Sequence, residues 1–208
     1  MHRTSVFLPI VAAAFACQAA SPPADYFWAD SPASMIEAAP GDLAVLPVVV
    51  ATASDVPVVQ LREAAYERLV ALRYSPLDLA FVDRTLGITD ESPVGRILDA
   101  VGWGDEEPIA RPMPASTGAS AFDADATVQF RVSSWNSGLM RSSRNLSCEI
   151  EVFVVDGSGM TLWSCRLARS FRLRDETRSA DSPAAILRYA ANKVIAAAFE
   201  GLPARSIR

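Results

Sequence analysis

Very few side chains in this sequence could do covalent or acid–base chemistry. The only histidine is His2, the only lysine is Lys193, and the other 18 basic residues are arginines. If the N-terminus is cleaved, the mature chain holds no histidine. Ser-His-Asp and Cys-His catalysis are then excluded, and so is every histidine-based metal site. Cys17, Cys148 and Cys165 are too few and too scattered for a four-thiolate zinc site. The carboxylates Glu149 and Glu151 alternate along one strand and read as its solvent side, not as an acid and base in a cleft. No phosphate-binding loop, dinucleotide fingerprint or nucleophile elbow occurs. Lys193 has no serine motif to partner it. The expectation is a protein that is not an enzyme and uses no metal or cofactor.

The third cysteine has a different chemistry in reach. Residues 1–17, MHRTSVFLPIVAAAFAC, run from a short basic start through an apolar stretch, Val6 to Ala16, to small residues. That is the layout of a secretory signal. The stretch is too short to span a bilayer, which takes ~20 apolar residues. Two cleavage readings compete. Ala14-Phe15-Ala16 fits a signal peptidase site, and Cys17 after small residues resembles a bacterial lipobox. The second is preferred, because it gives the cysteine a role as the lipidated first residue of the mature chain. An acylated Cys17 would hold the protein to a membrane, since each buried CH2 contributes ~0.8 kcal/mol.

The remaining candidates are basic. Arg166, Arg169, Arg172, Arg174 and Arg178 cluster. Residues 126–208 carry 12 basic and 7 acidic groups, whereas residues 1–125 carry 7 basic and 17 acidic, within a net charge of -5. Arg166, Arg172 and Arg174 are therefore the candidate surface for an anionic partner: lipid headgroups, lipopolysaccharide or an acidic protein. The bland alternative is internal, with the arginines answered by the acidic half or simply solvated. Overall acidity and export argue against nucleic acid.

The elements that must position these residues follow from periodicity. With 208 residues, half of them hydrophobic, the chain can bury one core. Residues 1–16 read as signal, 17–40 as lipidated cysteine and tether, and 41–204 as one α/β domain. Tyr26, Phe27 and Trp28 are out of place in a free tether and are expected to dock on the domain. LAVLPVVVAT (43–52) reads as a buried strand with Pro47 at an end, edge or bulge. Val58 to Arg73 reads as a helix with Leu61, Ala65, Leu69 and Leu72 inward and Arg62 mostly elsewhere. Leu77 to Val82 reads as a second buried strand, joined by a parallel crossover. Ser92 to Val101 reads as another helix, and 105–124 as a long loop.

The second half reads as an antiparallel meander. Residues from Ala126 and from Leu146 alternate with period two, and Asp156-Gly157-Ser158-Gly159 is a hairpin turn. Closing that turn at Asp156 and Gly159 puts Cys165 opposite Ile150, Cys148 opposite Leu167 and Trp163 opposite Val152. The two cysteines are then diagonal neighbours ~7–8 Å apart, beyond disulfide reach, and read as buried thiols. Ser182 and Pro183 open a last helix to 199 whose stripe, Leu187, Ala191, Val194, Ile195 and Ala198, covers Trp163. The fold class is a single-domain α/β sandwich of a mixed sheet, about five strands, with about three helices.

Several segments in this order carry a resemblance: Leu43-Ala44-Val45-Leu46-Pro47, Arg62-Glu63-Ala64-Ala65-Tyr66-Glu67, Phe81-Val82-Asp83-Arg84-Thr85-Leu86-Gly87, Asp123-Ala124-Asp125-Ala126, Asp156-Gly157-Ser158-Gly159 with Leu162-Trp163, and Gly201-Leu202-Pro203. Together they resemble bacterial surface lipoproteins of unknown function, of the meningococcal lipoprotein vaccine-candidate type. Their fold is similar to the TolB N-terminal domain and the curli-secretion lipoprotein. The resemblance implies a non-catalytic envelope lipoprotein, a binding or assembly component facing the periplasm. It implies a lipid anchor, in the outer membrane ahead of the inner, and an envelope protein or a second copy as partner. It carries over no catalytic residue. A rival resemblance, to auxiliary lipoproteins of lipid-transporting ABC systems, rests on a lipobox, a strand meander and a final helix.

Overall fold

The computed structural model describes residues 26–29, 33–51, 56–88, 118–138, 140, 144–173 and 182–206. The expected signal at 1–16, Cys17, Arg174, Arg178, the expected helix at 92–101 and most of the expected 105–124 loop lie outside them.

Both faces of strand β2 (Asp42–Val50) are covered, which is why its sequence lacks a period of two. Leu43, Val45 and Val48 belong to the main core, while Ala44 and Leu46 pack with Val82 and Phe122 on the other side. Of the end, edge and bulge positions open to it, Pro47 takes the bulge. Val45 pairs with Val128 and Val48 with Phe130, so Leu46 and Pro47 together face Gln129 alone.

The six strands lie in the order β1-β6-β5-β4-β2-β3. β3 (Ser75–Pro76) and β4 (Ala126–Asn136) run parallel to β2, and β5 (Asn145–Asp156) and β6 (Thr161–Arg172) continue antiparallel from β4. Two long helices cover the core face: α2 (Val58–Ala71) and α4 (Pro183–Ala198). Ser182 caps α4 by accepting the Ala185 N–H at 3.2 Å. The stripe expected for α4 is buried, with Leu187 at its rim. In the centre, Trp163 stacks on Phe199 at 6.0 Å and Phe130 meets the same ring edge-on at 6.1 Å. Among the described residues no helix is long and apolar enough to cross a membrane.

Several details depart from expectation. The ordered fold begins before Asp42. Tyr26–Ala29 (β1) is an edge strand on β6, so the backbone of the aromatic triplet joins the sheet while the Phe27 ring stays exposed, and a short helix α1 (Ala33–Ala38) buries Met35 in the main core. The segment Leu77–Val82 is not a strand. After two residues of β3 the chain turns into α3 (Leu79–Thr85), because the Asp78 carboxylate accepts the Phe81 N–H at 2.9 Å and caps a helix there. A short apolar run without a period fits a buried strand and a buried helix equally. The parallel crossover through α2 remains.

The β5–β6 register is also shifted by two residues. The turn closes at Met160, not Gly159: the Asp156 N–H donates to the Met160 carbonyl at 3.0 Å, with Gly159 at φ +87°. Leu162 is then bulged out between the Val155–Thr161 and Val154–Trp163 pairs. Trp163 consequently faces Val154, Cys165 faces Val152 and Cys148 faces Arg169. The two cysteines stay on one face but lie farther apart than a diagonal pair. Both are free and buried.

Candidate functional site

Arg166 projects from the face of the sheet opposite the main core, and its register neighbours define what it does. Arg131, Glu151 and Arg166 stand side by side on β4, β5 and β6. Arg166 donates Nε and Nη2 to Glu149 Oε1 at 3.0 and 2.6 Å, and its Nε lies 3.5 Å from Glu151 Oε1. Arg131 Nη1 approaches Glu151 Oε2 at 3.8 Å. The side chains of Arg131 and Glu151 are only 10 % and 11 % exposed, against 52 % for Arg166. Glu149 and Glu151 are therefore not the solvent side of a strand. They are counter-charges to Arg131, which is covered, and to Arg166, which is half exposed at the rim, and an unpaired charge at Arg131 would be costly.

Arg172 has a different setting. It is exposed at the end of β6, and its backbone carbonyl accepts from Lys193 Nζ at 3.1 Å. The sequence-predicted cluster thus divides. Arg166, half exposed, is paired with Glu149 and Glu151, Arg172 is presented at the end of the sheet, and Arg174 lies outside the described residues.

A second charged group was hidden in the sequence by its place on a helix. Arg62, expected off the apolar face of α2, is buried. Its Nε and Nη2 donate to the Val45 carbonyl at 3.0 and 2.9 Å, and its Nη1 pairs with Asp83. The cause lies in β3. Leu77 N–H satisfies the Leu43 carbonyl, but the neighbouring strand has ended by then, and Arg62 supplies the next donor along the β2 edge. The only sequence signal for this was the resemblance itself. Three of its segments, around Val45, Arg62 and Asp83, meet at this point. Two others also do structural work. Asp125 Oδ2 accepts the N–H groups of Gly41 and Asp42 at 2.6 and 3.1 Å, tying β2 to the start of β4. Tyr74 Oη donates to the Pro203 carbonyl at 2.6 Å.

The thiols are inert by environment. Burial pushes Cys148 and Cys165 up to about 12, so both stay protonated at neutral pH. Among the described residues no group of three His, Cys, Asp or Glu side chains is placed to hold a metal.

No family model matches the chain, and no curated protein matches it. Solved structures do. The PelC dodecamer from Paraburkholderia phytofirmans is 15 % identical, with a TM-score of 0.51 over 88 % of this chain and 100 % of that one. The lipoprotein GNA1162 from Neisseria meningitidis is 17 % identical, with a TM-score of 0.45 over 75 % of this chain and 94 % of that one. The LpoB C-terminal domain from Salmonella enterica is 15 % identical, with a TM-score of 0.42 over 66 % of this chain and 91 % of that one. At these identities the likeness is one of fold. The PelC subunit shares this fold over its whole length.

Proposed function

We propose that this chain is a non-catalytic component of the bacterial cell envelope, exported, anchored by a lipid on Cys17, and working by binding or assembly. Its partner is a second copy of itself or another envelope protein. The observation that carries this reading is the fold shared over the full length of a PelC subunit, which is a chain that assembles into a dodecamer. The signal-like start with Cys17 at its end supports the envelope address.

Cross-linking in living cells, followed by membrane fractionation, tests the reading. The protein should stay with the membranes and give cross-linked species larger than a monomer. A protein found soluble and uncross-linked contradicts it. Co-purification of an apolar ligand with a permease would move the assignment to an auxiliary subunit of a lipid-transporting system, and turnover of an ester or glycoside panel would make it a hydrolase.

A further inference from the structure

The register of β1 fixes where the N-terminal part of the chain joins the sheet. Tyr26 stands opposite Ala168 and Ala29 opposite Cys165, antiparallel. The chain therefore enters β1 from the Arg169–Arg172 end of β6. Cations collect at that end. Arg169 and Arg172 are both exposed. Arg144 stands level with Arg172, because Asn145 pairs with Arg172 and the Leu173 N–H donates to the Arg144 carbonyl at 2.7 Å, and Arg169, paired with Cys148, lies three residues back along β6 on the other face of the same sheet end. Lys193 reaches in from α4 and braces the Arg172 carbonyl. Among the described residues no carboxylate pairs with Arg144, Arg169 or Arg172, and the nearest strand carboxylate, Glu149, is held by Arg166.

Cys17 precedes Tyr26 by nine residues, and such a length spans about 30 Å when fully extended. A lipid on Cys17 would thus keep this end of the sheet, ahead of the rest of the molecule, next to the bilayer. We infer that Arg144, Arg169 and Arg172 form a membrane-contact surface for the phosphate groups of anionic phospholipids in the bilayer that holds the anchor. The inference rests on the lipid-anchored reading above for its biological setting. The chemistry is that of a second, electrostatic signal beside an acyl anchor. The chain as a whole carries -5 and is repelled by an anionic surface, so contact depends on this local concentration of positive charge.

Flotation of the full mature chain, made without acyl groups, isolates the surface from the anchor. It should bind vesicles containing phosphatidylglycerol, not bind pure phosphatidylcholine vesicles, and come off in high salt. Combining Arg144→Gln, Arg169→Gln and Arg172→Gln should weaken binding by about 100-fold, at about fivefold for each arginine near the surface. A control pair remote from this end, Arg73→Gln with Arg84→Gln, both exposed and beside the β2–β3 edge, should leave binding unchanged, and urea melts should show all variants folded. Absence of salt-sensitive binding by the parent, or equal loss in the control pair, overturns the inference. Whether Cys17 is acylated is read separately, by the mass of the protein taken from cells, so the two ideas fail independently.

Discussion

Arg62 shows how a single side chain can replace a strand. Its guanidinium satisfies the Val45 carbonyl where β3 has ended, and it joins α2 to α3 through Asp83. Arg62→Met keeps the length and apolar stem of the side chain but leaves a buried carbonyl without a donor and Asp83 without its cation. An unsatisfied buried group costs about 1–3 kcal/mol, and loss of that size should be seen in urea unfolding. Asp83→Asn, which leaves the bonds to Val45 in place, should cost less. If Arg62→Met melts with the parent, the edge of β2 does not depend on this arginine. The cysteines give a second check at this scale. With both thiols buried and their pKa raised to about 12, an alkylating reagent at neutral pH should modify neither in the folded protein. It should modify both in denaturant without any reductant. A chain that resists labelling in denaturant holds a disulfide and contradicts the register.

At the level of elements, the β5–β6 hairpin organises the core, and Trp163 is its anchor. The indole is 1 % exposed and stacked on Phe199. Trp163→Ala should cost ~3–5 kcal/mol through lost burial and an unfilled cavity, against ~5–15 kcal/mol for a whole domain. A variant as stable as the parent would put the wrong face of the hairpin in the core.

The turn itself should be sensitive to acid. Partial burial of Asp156 would raise its pKa. Hydrogen bonds from the Ser158 hydroxyl and from the N–H groups of Met160, Ser158 and Gly159 outweigh this and hold it below the ordinary carboxylate value. A depressed folded-state pKa means that the stabilisation is present above the unfolded pKa. It is lost as pH falls through the folded one. Stability against urea should therefore fall less in Asp156→Asn than in the parent between neutral pH and the acid side of the carboxylate range. Parallel pH profiles for the two would remove Asp156 from the account.

These elements also show what a sequence can and cannot display. The meander, the special position of Pro47 and the Ser182-capped last helix were legible, because alternation, proline and capping residues act locally. The register was not, because one extra turn residue and the bulged Leu162 shift every pair by two without changing which face is apolar. The strand expected at Leu77–Val82 failed for want of a period. Of the candidate surface, Arg172 was legible as an exposed cation. The engagement of Arg166 and Arg62 was not, since their partners lie on strands and helices whose alignment only the fold decides.

For the molecule as a whole, the segments that carry the family resemblance turn out to be clamps: Arg62 on Val45, Asp125 on Gly41 and Asp42, and Pro203 under Tyr74. They hold the architecture together, tying α2, β2, β4 and the C-terminal segment to one another. The central claim is that this architecture is lipid-anchored and works in an assembly. Native mass spectrometry of the mature protein extracted from membranes in detergent addresses both halves at once. The account predicts a chain beginning at Cys17, heavier than its sequence by the mass of attached acyl groups, in a complex of several copies or with a partner in fixed ratio. A monomer of unmodified mass, with no bound protein, would contradict it.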